Sequence, residues 1–311
     1  MSAAAWPLGS RMRETERASG GMPTMRMLDW AAAAIGAGAR IAHVQALHDD
    51  QGPWRLTLHH RGRLTDAVLR APTPRIDAAM VATGAAALEV AERCLLPAPR
   101  LMDADLQGVL AGVPVTLETV VPGTTAWPPP PSAKRLRAAG AALARVHAVA
   151  MAPREDLPFR PRPIAVDDFA ADRRASRMPT TPLLSEADDL ITAYGLPSGE
   201  PVYLHGDVWP GNLLWAGNDI AALIDWKTAG VGAPGVDLCE LRKQVAITFG
   251  PQAPDHVLHG WERATGTRAR DVAYWDAVAA LNTPTELDGD GDGTPTARRD
   301  AFLRAALSQL G

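Results

Sequence analysis

The sequence predicts an α+β fold in two parts, the first built on an antiparallel sheet and the second mostly of helices. Three observations predict it. Residues 40–70 hold three short runs of alternating apolar and polar residues separated by turn residues. One long helical pattern and two further strand patterns complete the region before residue 122. Beyond the Pro-rich break "PGTTAWPPPPSA" the apolar spacing becomes helical, with a single short β-element. The chain has 311 residues, enough for two parts that each bury a core.

The elements follow in order. "MSAAAWPLGSRMRETERASGG" has no periodicity and reads as a mobile tail, taken here as 1–26. "MLDWAAAAIGAG" reads as a short helix stopped by its glycines. "ARIAHVQALHDD", "WRLTLHH" and "LTDAVLRA" form a three-stranded meander joined by the turns "DDQGP" and "RGR". "IDAAMVATGAAALEVAERCLL" is a helix, and "PAPRLMDAD" and "VPVTLETVV" are two more strands. The first domain, 27–122, is therefore a sheet of about five strands with a helix. The second, 123–311, opens with the amphipathic helix "AKRLRAAGAALARVHAVA". Weaker helices follow at "AVDDFAADRRAS" and "LSEADDLITAYG", then a hairpin of "NLLWA" and "DIAALIDW". Helices are expected near 235–249, 254–266, 270–282 and 297–310.

Composition narrows the function. The chain is 47% hydrophobic and 21% charged, with a net charge of −4, so nucleic acid is not expected as a partner. No apolar run is long enough to span a bilayer, and the N-terminus lacks the apolar core of a signal peptide. A cytoplasmic protein without membrane contact is expected. Cys94 and Cys239 stand far apart in apolar, helix-like surroundings, so both are expected to be buried thiols and not a disulfide or zinc pair.

The chemistry concentrates in "YLHGDVWPGNLLW", Tyr203 to Trp215. His205, Asp207 and Asn212 form the pattern H-x-D-x4-N on a loop between two strands. A second acid, Asp225, ends the apolar strand "AALID". A tight hairpin can bring Asn212 and Asp225 together, and such hard oxygen donors suit Mg²⁺ sharing its coordination with phosphates. Asp207 is then left to accept a proton from an attacking hydroxyl, which is the combination phosphoryl transfer requires.

"HGDVWPGNLLW…IDWKTAGVGAPGVDLCELR", with "LARVHAV" before it and "WERATG…DVAYWDAVAAL" after it, resembles the aminoglycoside phosphotransferase and choline kinase-like family, over about residues 40 to 310. That resemblance implies a two-lobed protein-kinase-like fold and a small-molecule kinase. It implies transfer of the γ-phosphate of ATP or GTP to the hydroxyl of a small acceptor. It makes Asp207 the catalytic base and Asn212 and Asp225 the Mg²⁺ ligands. His205 becomes a structural brace, and Asp237 the acid that bonds the loop's backbone amides; Asp237 also suits the first turn of a helix on electrostatic grounds.

The first domain departs from the family pattern. The strand residue that reaches the nucleotide phosphates is usually Lys, and no Lys precedes Lys134. Arg70 stands at the matching position and offers a planar cationic fork to phosphate. The helix acid that would pair with it is absent at Gly84, leaving Glu89 as the substitute. The resemblance makes "HDDQGPWR", with Gly52 as its one glycine, the phosphate-covering loop; Asp49 and Asp50 there are unfavourable beside a triphosphate unless they point away. It makes "VTLETVVPG" the hinge, where the backbones of Glu118 and Val120 meet the nucleobase. These departures support an alternative, a catalytically weak nucleotide-binding or regulatory module.

Other features are weaker. "DGDGDG", Asp288 to Gly293, starts like a calcium loop, but Arg299 stands where a bidentate Glu is needed. His59 and His60 point to opposite faces of a strand and are no metal pair. Asp167, Asp168, Glu240 and Asp288 would suit a cationic acceptor. Trp209, Trp261 and Trp275 could line its wall, with core packing expected for at least two of them.

Overall fold

A computed structural model describes residues 21–47, 52–128, 130–163, 166–287 and 294–310. The tail to residue 20, Asp49, Asp50 and the run Asp288 to Gly293 lie outside the described residues. Two compact units emerge. Among the described residues, one contains those from 21 to 123 together with Ala221–Ala229, and the other contains Thr124–Ile220 and those from 230 to 310.

The first unit begins with helix α1 (Met25–Ile35), capped by the Thr24 side chain on Met27 N, so helix starts inside the expected tail. The meander follows as β1 (Arg40–Ala46), β2 (Trp54–His60) and β3 (Arg63–Arg70). Helix α2 (Ala78–Arg93) is capped by Asp77, whose carboxylate accepts from Met80 N at 2.8 Å. Strands β4 (Leu101–Asp105) and β5 (Val115–Thr119) complete an antiparallel sheet of order β1-β2-β3-β5-β4. The period-two pattern puts Leu56, Leu58, Leu69 and Leu117 on one face, where they bury against Met27, Trp30 and Ala31 of α1. The expected second domain claims Ala221–Ala229, but that segment clusters with the first unit. Leu223 N donates to Pro97 O at 2.7 Å, and the backbone of Lys227 packs on Gly84 of α2.

The second unit is mostly helical. It contains α3 (Ala133–His147), α4 (Phe169–Arg174), α5 (Pro182–Tyr194) and, past the H-x-D-x4-N motif, α6 (Gly235–Phe249), α7 (Ala253–Thr265), α8 (Val272–Leu281) and α9 (Thr294–Leu310). Its β-elements are β6 (Val202–Leu204), β7 (Leu213–Ala216), the first residues of its hairpin partner β8 (Asp219–Leu223), whose end belongs to the first unit, and β9 (Gly230–Gly232). β9 pairs antiparallel with β6 and was not visible in the sequence, because "GVG" has no strand propensity of its own.

Helix α6 is buried on all sides, and its polar residues are paired internally. Arg242 binds Asp276 at 2.8 Å, and Lys243 and Gln244 both donate to Glu240, at 2.7 and 2.8 Å. Helices α3 and α7 cross where each has a glycine. A Cβ on Gly140 would stand 2.9 Å from Trp261 N, and one on Gly260 would stand 2.7 Å from the Arg137 backbone. Trp261 and Trp275 are core residues. Cys239 is buried as expected, but Cys94 is exposed, because it caps the end of α2 beyond the packed turns.

Candidate functional site

The loop after β6 is built around one buried carboxylate. Asp237 sits in the first turn of α6 with no exposure and accepts from His205 N at 2.7 Å and Gly206 N at 2.8 Å. His147, at the end of α3, lies with Nε2 3.3 Å from the same carboxylate. The other ring nitrogen, Nδ1, accepts from Trp261 Nε1 at 2.9 Å, so in the neutral ring the proton is on Nε2 and His147 donates to Asp237. Burial pushes Asp237 up. The His147 hydrogen bond, the nearby imidazoles of His147 and His205 and the Gly206 N–H outweigh it and hold the carboxyl below its ordinary range.

The rest of the loop is fixed through backbone groups. Gly206 takes a φ of 83°, a conformation glycine adopts without strain, and turns the chain into Asp207. His205 is fully buried, and its Nδ1 accepts from Asp207 N at 3.3 Å. Asn212 lies in a single 3₁₀ turn (Pro210–Asn212), and its Nδ2 donates to Asp207 O at 2.8 Å. That contact orients the amide and leaves Oδ1 as a hard acceptor. Trp127, from the Pro-rich break, donates to Pro210 O at 3.2 Å. The second unit thus brings His205, Asp207, Asn212 and Asp237 together, with the Asp207 side chain only half-buried. Glu240 is one turn beyond Asp237. Burial pushes its carboxyl up, Lys243 and Gln244 pull it back, and the Asp207 charge pushes it up further. Glu240 is therefore already paired and is not an open acceptor site; Asp168 likewise caps α4 and binds Arg162 at 3.0 Å.

The first unit brings Arg70, Glu118 and Asp225 together. Arg70, at the end of β3, places Nε 2.8 Å from Glu118 Oε1 and Nη1 2.8 Å from Asp225 Oδ1. Lys227 Nζ is paired with the other oxygen, Asp225 Oδ2. Asp225 holds a φ of 69°, an uncommon conformation for a non-glycine residue that is often found at functional positions. Burial and the neighbouring Asp225 charge push Glu118 above its ordinary range against the pull of Arg70. A pocket beside the cluster is lined by Arg70, Glu118, Lys227 and Gly84, with Met80 and Val81 of α2.

One expectation needs correction. Glu89 is not the partner of Arg70: it is exposed on α2, and Glu118 supplies the carboxylate. A glutamate one strand over reaches the guanidinium directly, which replaces the acid missing at Gly84. Glu118 was expected to act through its backbone at a hinge. It lies inside β5, flanked by Val68 and Leu101, and its side chain pairs with Arg70. Val120 follows the end of that strand, and Gly52 is buried beside Trp54. Reasoning from sequence missed Lys227; the signal was a lone lysine two residues after Asp225.

Among the described residues no three His, Cys, Asp or Glu side chains group as a protein-only metal site. Asn212 Oδ1 and the Asp225 carboxylate are each hard oxygen donors, the donor type that a hydrated Mg²⁺ takes alongside phosphate oxygens. Arg70→Lys tests the clamp. A lysine presents one point charge and cannot span both carboxylates. The variant is expected to lose about 1.5–3 kcal/mol in urea denaturation, the scale of one charged hydrogen bond; an unchanged midpoint would mean that Arg70 bridges nothing in solution.

Comparison with known proteins follows this geometry. A homoserine kinase from Rhizobium johnstonii is 32% identical over 146 residues, 44% of this chain and 43% of that protein. The chain thus spans less than half the length of the curated relatives it matches. Among solved structures, macrolide 2'-phosphotransferase MphH from Brachybacterium faecium matches with a TM-score of 0.57 and 20% identity, over 90% of this chain and 97% of that one. A thermostable mutant of aminoglycoside phosphotransferase APH(4)-Ia, in ternary complex with AMP-PNP and hygromycin B, matches with a TM-score of 0.56 and 15% identity, over 90% and 97% of the two chains. The kinase-like α+β fold expected from the sequence is the fold of these structures. The model of the phosphotransferase enzyme family matches residues 26–281, and the chain belongs to that family.

Proposed function

We propose that this protein is a small-molecule kinase that transfers the γ-phosphate of ATP, or of GTP, to the hydroxyl of a small acceptor. The observation that carries the reading is Asp207, half-buried on a loop whose backbone is held by Asp237, His205 and Asn212. A carboxylate positioned this way accepts the hydroxyl proton as the oxygen attacks the γ-phosphorus. Arg70, locked between two carboxylates, provides a preoriented cation for phosphate oxygens. Asn212 and Asp225 would hold Mg²⁺, which when bound neutralises charge on the phosphates. Most of the acceleration then comes from positioning and electrostatics.

The alternative of a weak binding module rested on the missing helix acid and on the glycine-poor phosphate loop. The Arg70–Glu118 pair at 2.8 Å supplies that interaction and favours the enzyme. The acceptor belongs to the class of small alcohols, and homoserine, aminoglycosides and macrolides, the substrates named for related proteins, are the first to try. A thermal-shift assay with Mg²⁺-ATP and Mg²⁺-GTP, followed by nucleotide consumption across a panel of such alcohols, tests the reading. Stabilisation and acceptor-dependent turnover are expected; stabilisation with no turnover on any acceptor favours the binding module. Asp225→Ala is expected to weaken Mg²⁺-ATP binding about tenfold or more, the scale of a lost charged contact. Calorimetry with and without Mg²⁺ checks this, and a wild-type affinity indifferent to Mg²⁺ would refute the metal role.

A further inference from the structure

Lysine is nearly absent from this protein. Of 31 Lys and Arg residues, three are lysine: Lys134, Lys227 and Lys243. Lys134 is exposed at the start of α3, and Lys243 is buried against Glu240. Lys227 is the remaining one, 16% exposed and paired with Asp225. A chain that uses arginine almost everywhere has here a compact point charge on a flexible stem.

We propose that Lys227 is a phosphate-binding residue of the nucleotide site, stored on Asp225 until nucleotide arrives. The inference rests on the kinase reading and extends it. Both Asp225 oxygens are occupied, Oδ1 by Arg70 and Oδ2 by Lys227. A carboxylate that is to face a metal ion must give up one of these cations. Arg70 is tied at Nε to Glu118 as well, so its guanidinium stays. The Lys227 ammonium is at the end of four methylenes and moves by side-chain rotation alone. Its backbone need not shift: it packs on Gly84, where an added Cβ would stand 3.8 Å from Lys227 Cα. Arg70 and Lys227 line the same pocket, so the released ammonium joins the guanidinium facing it.

Charge balance runs the same way. Glu118 and Asp225 cancel Arg70 and Lys227 in the cluster as it stands. When metal takes an Asp225 oxygen, the lysine charge becomes available to the phosphates that arrive with the metal. Lys227 thus competes with metal in the absence of nucleotide and assists nucleotide binding in its presence, which makes the two binding events cooperative. It also supplies a lysine to a site whose usual strand lysine is replaced by Arg70.

The test uses the full chain, with ATP in saturating Mn²⁺ and Mn²⁺ alone as probes in calorimetry. Lys227→Met is expected to weaken ATP binding in the presence of Mn²⁺ about tenfold, the scale of one charge-assisted contact, and to tighten nucleotide-free Mn²⁺ binding. Lys227→Arg restores ATP affinity to near the wild-type value. Circular dichroism melts accompany each variant, and Lys227→Gln replaces Lys227→Met if the latter does not fold. Wild-type ATP binding that is unchanged in the neutral variant overturns the inference and leaves the kinase reading standing. Mn²⁺ affinity that does not rise overturns the storage contact on Asp225. A wild-type protein that binds no nucleotide at all removes the kinase reading and this inference together.

Discussion

Asp207→Ala is expected to lower phosphoryl transfer by about 10²–10⁴-fold, the usual contribution of a positioned base, with the melting temperature almost unchanged. The reason is how the loop is held. Asp207 gives its N–H to His205 Nδ1 and receives the Asn212 amide on its carbonyl, and both contacts use backbone atoms that alanine retains. The amides of His205 and Gly206 stay on Asp237. Arg70 and Asp225 are untouched, so ATP affinity should stay within a few-fold of wild type by the same reasoning. Initial rates on the best acceptor, with a melt and an ATP titration on the same preparation, separate these effects. Turnover near the wild-type rate would remove Asp207 from the chemistry.

Asp237→Ala is expected to produce the opposite profile, a protein that loses stability first and activity as a result. The substitution strands three buried donors, the amides of His205 and Gly206 and the His147 ring, and breaking a buried charged network of this kind costs about 3–5 kcal/mol. The urea midpoint should fall accordingly, and one within error of wild type would show that the network contributes little. Acid sensitivity provides a second readout. The Asp237 carboxyl lies below its ordinary value of 3.8 in the folded protein, so the folded state favours the ionised form. Its stabilisation is complete above the unfolded carboxylate range and is lost as pH falls below 3.8 through the folded value. Asp237→Asn should therefore show a shallower acid limb of stability than wild type. Equal slopes would assign acid unfolding to other carboxylates.

The fold was legible wherever the hydrophobic period was uninterrupted. The meander, α2 and the amphipathic α3 are each written in alternation or in helical spacing, which local sequence states directly. The pairing of β9 with β6 was hidden, since Gly230 and Gly232 carry no signal and the contact is made across the chain. The loop after β6 was legible because His205, Asp207 and Asn212 are close in sequence, and spacing alone groups them. The partner of Arg70 was not. A guanidinium can reach a helix or a neighbouring strand, and only the β3–β5 register shows that Glu118 is the acid within range. Position along a helix suggested Glu89, but the face of α2 that carries it is exposed. Lys227 was hidden for a related reason: its meaning depends on Asp225 holding a cation on each oxygen, and that is a property of geometry.

The paired glycines at the α3–α7 crossing act on the catalytic loop from a distance. Gly140 and Gly260 set how near the two helices approach, and α7 carries Trp261 while α3 carries His147. The Trp261–His147 bond closes at 2.9 Å only at that spacing, and His147 in turn bears on Asp237. The crossing therefore works as a lever whose long arm is a helix pair and whose short arm is the amide of Gly206.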